Sequence, residues 1–176
     1  MIPLKPIFLL ALFATPTLAQ HSHTNHGPAV VTESGQSQFA AITEIVEVLM
    51  NDPSTDWASV DVQALRDHLV DMDNVTTRSV VSVAENNTNV VFTVTGQPEV
   101  AQSIQAMVTA HSPMLASETG WKVSTSNIAN GAVLTVIPSR PEQRRQVLGL
   151  GFYGLLTIGA HHQLHHLVIA KGMSPH

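Results

Sequence analysis

The sequence predicts an α+β domain in which a four-stranded antiparallel sheet, built from two hairpins, carries helices on one face. Three observations support this fold class. Segments with apolar residues three or four positions apart, typical of amphipathic helices, alternate with segments in which apolar residues recur at every second position. The turn signals Asn86-Asn87 and Asn130-Gly131 divide the strand-like segments into two pairs. The predicted order of elements is therefore ααββαββα, and its short connections favour antiparallel neighbours.

The first two predicted helices are amphipathic. Residues 36–51 have apolar side chains at positions 39, 42, 46 and 49, and Pro53 follows the end of the helix. A second helix begins near Ser59 or Asp61, which are both favourable N-cap residues, and runs to about Asp73. Its predicted apolar face consists of Val62, Leu65, Leu69 and Met72.

Four segments predict the two hairpins. Residues 75–84 are rich in Val and Thr, and residues 89–95 alternate between apolar and polar side chains. Residues 121–125 and 132–137 have the same character and form the second pair. Because each pair is joined by a short turn, we expect antiparallel pairing within each hairpin.

The third predicted helix lies between the hairpins. Pro98 is suited to the first turn of a helix because it lacks the N–H that would have no partner there. The apolar face comprises Val100, Ile104, Met107 and Val108. We expect this helix to reach His111 and to be ended by Pro113.

The last segment predicts one long helix from Pro141 to Ala170, closed by Gly172. Glycines at positions 149, 151, 154 and 159 oppose this interpretation, because each costs about 1 kcal/mol relative to Ala in a helix interior. Two features would explain these glycines: close packing of the helix against another element, or a break in the helix near residues 149–151. A membrane helix over residues 147–170 is long enough to span a bilayer, but its four histidines argue against exposure to lipid.

The N-terminus predicts export. Residues 1–19 resemble a signal peptide, with Lys5 before an apolar stretch and small residues at the predicted cleavage site. Residues 20–35 are predicted to be a disordered leader. Its three histidines, His21, His23 and His26, are equally consistent with a collector of metal ions and with a solvated terminus. Residues 36–176 are then one folded domain, with a periplasmic or secreted location in a bacterium.

Composition excludes several classes of function. Removal of residues 1–19 takes away one of eight basic residues, so that seven basic residues face 13 acidic ones and the formal charge is −6. This balance argues against nucleic acids and anionic membrane surfaces as partners. The chain has no cysteine, which excludes disulfides, thiolate catalysis and Cys-based metal sites. Histidine, methionine and carboxylate side chains are the remaining ligands for a metal.

Four histidines stand out in the apolar C-terminal stretch: His161, His162, His165 and His166. On a helix, residues four positions apart lie on the same face, so these histidines form two pairs that could each chelate one ion. Their face also carries apolar residues, which predicts that they point into the protein. The alternative is that one or two face solvent and the others form hydrogen bonds in the core.

Two other helices each offer a histidine and a methionine one turn apart. These pairs are His68 with Met72 and Met107 with His111. Thioether sulfur favours Cu(I), whereas zinc prefers histidine and carboxylate ligands, so the combination predicts copper before zinc. A methionine taken alone is more often core filler than ligand.

The last stretch, residues 159–172 with the pattern His-His-Gln-Leu-His-His, resembles the C-terminal signature of small exported bacterial proteins that have no assigned activity. Residues 67–75 and 107–111 are similar to that group as well. A fainter likeness, to copper-associated periplasmic proteins with a His-His-Gln element before an apolar Ile-Ala, covers only residues 161–170 and lacks the second half of that pattern. Neither resemblance implies an activity.

The sequence therefore predicts a periplasmic metal-binding protein that sequesters copper or passes it on. Zinc and haem are the alternative cofactors. The metal ion is the predicted partner, together with another metal-handling protein of the envelope. One alternative is a metal- or haem-dependent enzyme in which Asp71 or Asp73 takes part in the chemistry. The other is a structural or partner-binding domain whose histidines pack or sense pH.

Overall fold

The structure, a computed structural model, describes residues 37–159 and 162–173. The predicted signal peptide, the leader with its three histidines, and His161 lie outside the described residues. The helices are α1 (Ser37–Asn51), α2 (Val62–Arg78), α3 (Pro98–Thr119), α4 (Arg144–Leu156) and α5 (His162–Ala170). The strands are β1 (Val80–Glu85), β2 (Val90–Thr95), β3 (Lys122–Ile128) and β4 (Gly131–Ile137), and a 3₁₀ turn at Pro141–Gln143 precedes α4.

The four strands form one antiparallel sheet in the order β1-β2-β4-β3. Val90, Phe92 and Val94 of β2 are fully buried on one face, and the residues between them are partly exposed. β4 follows the same alternation, and Phe92 lies opposite Leu134 in the register. Helix α3 packs against β2, β3 and β4, and α4 packs against β2. The predicted α+β class and the two-hairpin sheet are confirmed.

The core has two apolar clusters that share one side chain. The larger cluster joins the buried sheet face to α3 and α4, and includes Phe92, Ile104 and Phe152. The smaller one lies between α1, α2 and α5 and is formed by Ile45, Leu49, Leu65, Leu69 and Ala170. Met72 of α2 packs against both clusters. Helix α2 thus connects the layer on the sheet with the α1–α5 layer.

Helix α2 extends further than predicted, to Arg78, so residues 75–78 are helical and β1 begins only at Val80. Burial explains the difference, because Val75 is 1% exposed and belongs to the larger core cluster. The hydroxyls of Thr76 and Thr77 donate hydrogen bonds to carbonyl oxygens one turn earlier, at 2.9 and 2.6 Å. Tertiary packing and these bonds outweigh the strand preference of Val and Thr.

The predicted end of α3 at Pro113 was wrong, since the helix continues to Thr119. Proline at position 113 removes one helical hydrogen bond and frees the carbonyl of Thr109. Thr109 and Pro113 both lie on the exposed side of the helix, where water can bind that carbonyl. Leu115, on the opposite side, is buried and holds the last turns against the core.

The single long C-terminal helix was also wrong, and the break near residues 149–151 is the alternative that holds. Gly151 has φ 60° and ψ −178°, and Gly159, between α4 and α5, has φ 73°. Both conformations favour glycine because a Cβ would be strained there. Within the described residues, no helix has the length and apolar character needed to cross a membrane. The two breaks turn α5 back towards α1 and α2.

Candidate metal centre

Five of the predicted site histidines lie in one cluster inside the helical layer. His68 comes from α2, His111 from α3, and His162, His165 and His166 come from α5. Six pairs of rings are in contact, with centroid separations of 4.8 Å (68–165), 5.6 Å (68–166), 6.0 Å (111–165), 6.2 Å (111–162), 6.2 Å (162–166) and 6.4 Å (165–166). We call these five residues the histidine cluster. His161, the sixth predicted histidine, lies outside the described residues.

Helix α5 is held in place at both ends. Near its start, the Gln163 amide donates a hydrogen bond to the Glu44 carboxylate of α1. At its end, the Asp61 backbone N–H donates to the Ala170 carbonyl at 2.8 Å, and Asp61 also caps α2 through its side chain. The end of α5 is therefore fixed to the start of α2. This contact places the α5 histidines beside His68, about two turns further along α2.

Two members of the histidine cluster are almost fully buried. His111 is 2% exposed and His166 is 4% exposed, whereas the other three are partly exposed. The Nδ1 atom of His111 lies 2.9 Å from the Met107 carbonyl oxygen. Because a carbonyl can only accept a hydrogen bond, Nδ1 carries the proton, and the lone pair of the neutral ring is on Nε2. This bond fixes both the tautomer and the direction of the ring, as is usual for histidines that bind metals.

His166 has an unusual environment for a buried polar side chain. Neither of its ring nitrogens has a hydrogen-bond partner among the described residues. Burying a polar group without such a partner costs about 1–3 kcal/mol. A histidine that only packs in a core would normally have at least one bond. Within the described residues, no hydrogen bond offsets this cost at His166.

Burial favours the neutral form of two α5 histidines, His162 and His166. It lowers the pKa of His162 below the usual value, and it does the same for His166, where the nearby His162 lowers the pKa further. Protonation would place positive charge in a poorly solvated environment beside other imidazoles. Neutral rings keep the lone pairs that bind metal ions.

A cavity of about 90 Å³ adjoins the cluster on the side of His111 and His162. Both predicted methionines, Met72 and Met107, line it as well. Its buried floor includes Met107 and His111, whereas Tyr153, which is 41% exposed, lies at its outer side. The cavity therefore brings together two imidazoles and two thioethers, and has room for an ion with one or two water molecules.

The spacing of the rings is compatible with shared metal ions. Two imidazoles that bind one ion at about 2.0–2.1 Å have centroids about 4.5–6.4 Å apart for angles of about 90–180° at the metal. All six separations fall in that range. However, no group of three or more His, Asp or Glu side chains in the described residues already has the geometry to hold an ion. Metal binding would therefore require the rings to turn about χ2, a soft torsion in histidine.

The two carboxylates considered for catalysis have other partners. Asp71 accepts a hydrogen bond from the Ser103 hydroxyl at 2.6 Å, and Ser103 in turn accepts one from the Asn74 amide at 3.1 Å. This network joins α2 to α3. Asp73 is exposed and accepts a 3.3 Å hydrogen bond from the Gln38 amide. Both carboxylates therefore serve contacts between helices.

Sequence reasoning missed Tyr153. Its hydroxyl lies 3.0 Å from the Ser79 hydroxyl, just beyond the end of α2. The contact spans 74 positions in the sequence, and no spacing pattern could have indicated it. Tyr153 follows the break at Gly151, so its position depends on a kink that the helical pattern does not specify. Its side chain also lines the outer part of the cavity beside the histidines.

A larger cavity, of about 760 Å³, lies away from the histidine cluster. Side chains of α3, both polar and apolar, line it together with Asn127, and none of them is titratable. The amide of Gln105, one of these residues, already donates hydrogen bonds to the carbonyls of Ile128 and Gly131. The smaller cavity, which adjoins the histidines, is therefore the better candidate for chemistry.

Acidification is expected to destabilise the metal-free protein. The folded-state pKa values of His162 and His166 lie below the ordinary value of 6.5. Below about pH 6.5 the unfolded chain therefore binds protons that the folded chain excludes, and the free energy of unfolding falls by up to about 1.4 kcal/mol per pH unit for each histidine. Above about pH 7.5 these two residues contribute no pH dependence.

Urea unfolding of chelator-treated protein at several pH values between 5 and 8 measures this effect. The His162→Leu/His166→Leu variant provides the comparison, since its unfolding free energy should depend less steeply on pH. Equal slopes for this variant and the unaltered protein would show that these two imidazoles titrate normally in the folded state.

Comparison of the chain with known protein families, with curated proteins and with solved structures finds no match. The resemblances noted from the sequence therefore stay predictions. Any function has to be argued from the arrangement of the chain's own residues.

Proposed function

We propose that this protein binds copper in the bacterial envelope, to sequester the ion or to pass it on, through the histidine cluster with Met72 and Met107. The observation that carries the proposal is the meeting of five imidazoles from three separate helices inside the fold. The predicted signal peptide supports export. The chain has no cysteine and so forms no disulfides, but a domain of this size can be stabilised by its core alone.

A structural role alone accounts poorly for the cluster. His166 is buried and makes no hydrogen bond from either ring nitrogen within the described part of the chain. Apolar side chains would pack at the same positions without this cost. A bound ion would use the nitrogen lone pairs and offset the cost of burying them.

The ligands favour copper over the alternatives. Met72 and Met107 line the cavity beside the cluster, and thioether sulfur is a soft ligand that selects Cu(I). Zinc would use the histidines but has no need of sulfur from methionine. A cavity of about 90 Å³ is much smaller than the roughly 300–1,000 Å³ of sites for larger organic ligands, which argues against haem.

Binding is also better supported than catalysis. The enzyme hypothesis required Asp71 or Asp73 to act on a metal-bound water. Asp71 is held by Ser103, and Asp73 lies on the exposed side of α2. An ion-handling role needs only the ligands and a path to solvent, and the partly exposed lining of the cavity supplies such a path.

Copper titration of the exported protein, followed by native mass spectrometry, tests the proposal. Every protein sample should carry His21→Ala, His23→Ala and His26→Ala, so that the leader does not contribute ligands. Cu(I) is added under reducing conditions in competition with a chromophoric chelator. We expect at least one copper ion per chain with the cluster intact.

Two variants of α5 identify the site. His162→Ala/His166→Ala should weaken Cu(I) binding at least about 100-fold, because it removes two residues that bind the metal directly and not residues that only form hydrogen bonds to the ligands. Leu164→Ala lies between them on the exposed side of α5 and should leave the affinity unchanged. Lack of stoichiometric binding, or equal affinity in all three proteins, would rule out the proposal.

A further inference from the structure

The histidine cluster divides into two groups with different ligands. Three rings, those of His68, His165 and His166, contact one another pairwise at 4.8, 5.6 and 6.4 Å. This group offers imidazole nitrogens alone. It includes His166, which is 4% exposed and makes no hydrogen bond from either ring nitrogen within the described residues.

The second group surrounds the cavity. His111 and His162, whose ring centroids are 6.2 Å apart, line it together with Met72 and Met107. The three histidines of the first group do not line this cavity. The second group therefore combines nitrogen and sulfur ligands, and it has empty space for an ion next to them.

We infer that the centre contains two adjacent metal subsites of different chemical softness. The three-imidazole subsite (His68, His165, His166) takes a borderline divalent ion such as Zn²⁺, Co²⁺ or Cu²⁺. The imidazole–thioether subsite (His111, His162, Met72, Met107) takes a soft monovalent ion such as Cu⁺ or Ag⁺. This inference rests on the proposed function and specifies which ions that centre distinguishes.

The two subsites are neighbours. His111 lies 6.0 Å from His165, and His162 lies 6.2 Å from His166, so each subsite contributes a ring that contacts the other. His162 and His166 are also one turn apart on α5. An ion at one subsite would therefore be within a few ångströms of the ligands of the other, an arrangement suited to transfer between them.

A histidine and a methionine that are one turn apart on a helix do not always belong to the same subsite. This supports the division of the cluster into two subsites. On α2, His68 and Met72 are one turn apart, yet His68 contacts His165 and His166 whereas Met72 lines the cavity. On α3, the hydrogen bond from Nδ1 of His111 to the Met107 carbonyl fixes the tautomer of that ring. Met107 and His111 both remain with the cavity.

Two redox-inert probes test the inference. Ag⁺ represents the soft ion and Co²⁺ the borderline ion, whose visible absorption reports the ligands around it. Both are titrated into the exported full chain with the three leader histidines replaced by alanine. Native mass spectrometry should detect one Ag⁺ and one Co²⁺ bound to the same chain. This measurement needs no substitution in the folded domain.

Matched variants assign each ion to its subsite. Met72→Leu/Met107→Leu conserves volume and should weaken Ag⁺ binding at least about 100-fold while changing Co²⁺ affinity less than about twofold. His68→Leu should have the opposite effect, with loss of the Co²⁺ absorption band and little change in Ag⁺ affinity. Circular dichroism and urea unfolding establish that each variant is folded.

The outcomes separate this inference from the proposed function. If Ag⁺ and Co²⁺ displace each other, or if the methionine variant binds Ag⁺ normally, the two-subsite inference fails although a metal centre remains. If neither these ions nor copper bind to the protein with the cluster intact, the proposed function itself fails.

Discussion

Saturating Cu(I) is expected to raise the melting temperature of the protein by about 10 °C. An ion present at about 1,000 times its dissociation constant stabilises the folded state by about 4 kcal/mol. For a domain of this size, each kcal/mol of stabilisation raises the melting temperature by about 2–4 °C. The effect is large because the ligands come from three helices and meet only when α2, α3 and α5 have packed together. The unfolded chain has no comparable site.

Thermal unfolding followed by circular dichroism, with and without Cu(I), measures this shift. His68→Ala/Met72→Leu/Met107→Leu/His111→Ala removes the proposed ligands on α2 and α3 and should reduce the shift to less than about 2 °C, because the α5 histidines alone cannot join the helices. Leu164→Ala, which changes an exposed side chain of α5, should keep the full shift. A shift that is equally large in the quadruple variant would mean that copper stabilises the fold from somewhere other than the cluster.

The fold was predictable because local patterns specify most of it. The periodicity of α1, the N-cap at Asp61 and the alternation in β2 and β4 each depend on nearby residues. The errors occur where tertiary contacts outweigh local preference. Burial of Val75 extends α2 into a segment with strand propensity, and burial of Leu115 carries α3 past Pro113.

The candidate centre was predictable residue by residue but not in its arrangement. Spacing on one helix identified His162 and His166, and it identified the His/Met pairs of α2 and α3. Which residues meet across helices depends on the breaks at Gly151 and Gly159. The sequence suggests the first break only as one of several alternatives, and it does not suggest the second. Tyr153 had no sequence signal, because its contact with Ser79 depends on that same rearrangement.

Replacing His166 with leucine is expected to stabilise the metal-free protein while weakening metal binding at the three-imidazole subsite. His166 is 4% exposed, and its ring nitrogens have no hydrogen-bond partner among the described residues. Leucine has a similar volume and no polar atoms to desolvate, so the free energy of unfolding should rise by about 1–3 kcal/mol at pH 7.5. Most substitutions at buried positions have the opposite effect.

Urea unfolding of chelator-treated protein measures this gain, and Gln146→Leu is the matched control. Gln146 is exposed on α4, so leucine there should not increase stability. With Co²⁺ present the order should reverse, because His166→Leu removes a ligand of the three-imidazole subsite and should bind that ion at least about 100-fold more weakly. A loss of stability in the metal-free His166→Leu protein would instead mean that the imidazole contributes to packing as it stands. A gain in the free energy of unfolding would show that the fold accepts a buried histidine without hydrogen-bond partners. The energetic cost of burying that histidine would then be offset only when an ion is bound, as expected where function and stability make opposite demands on one residue.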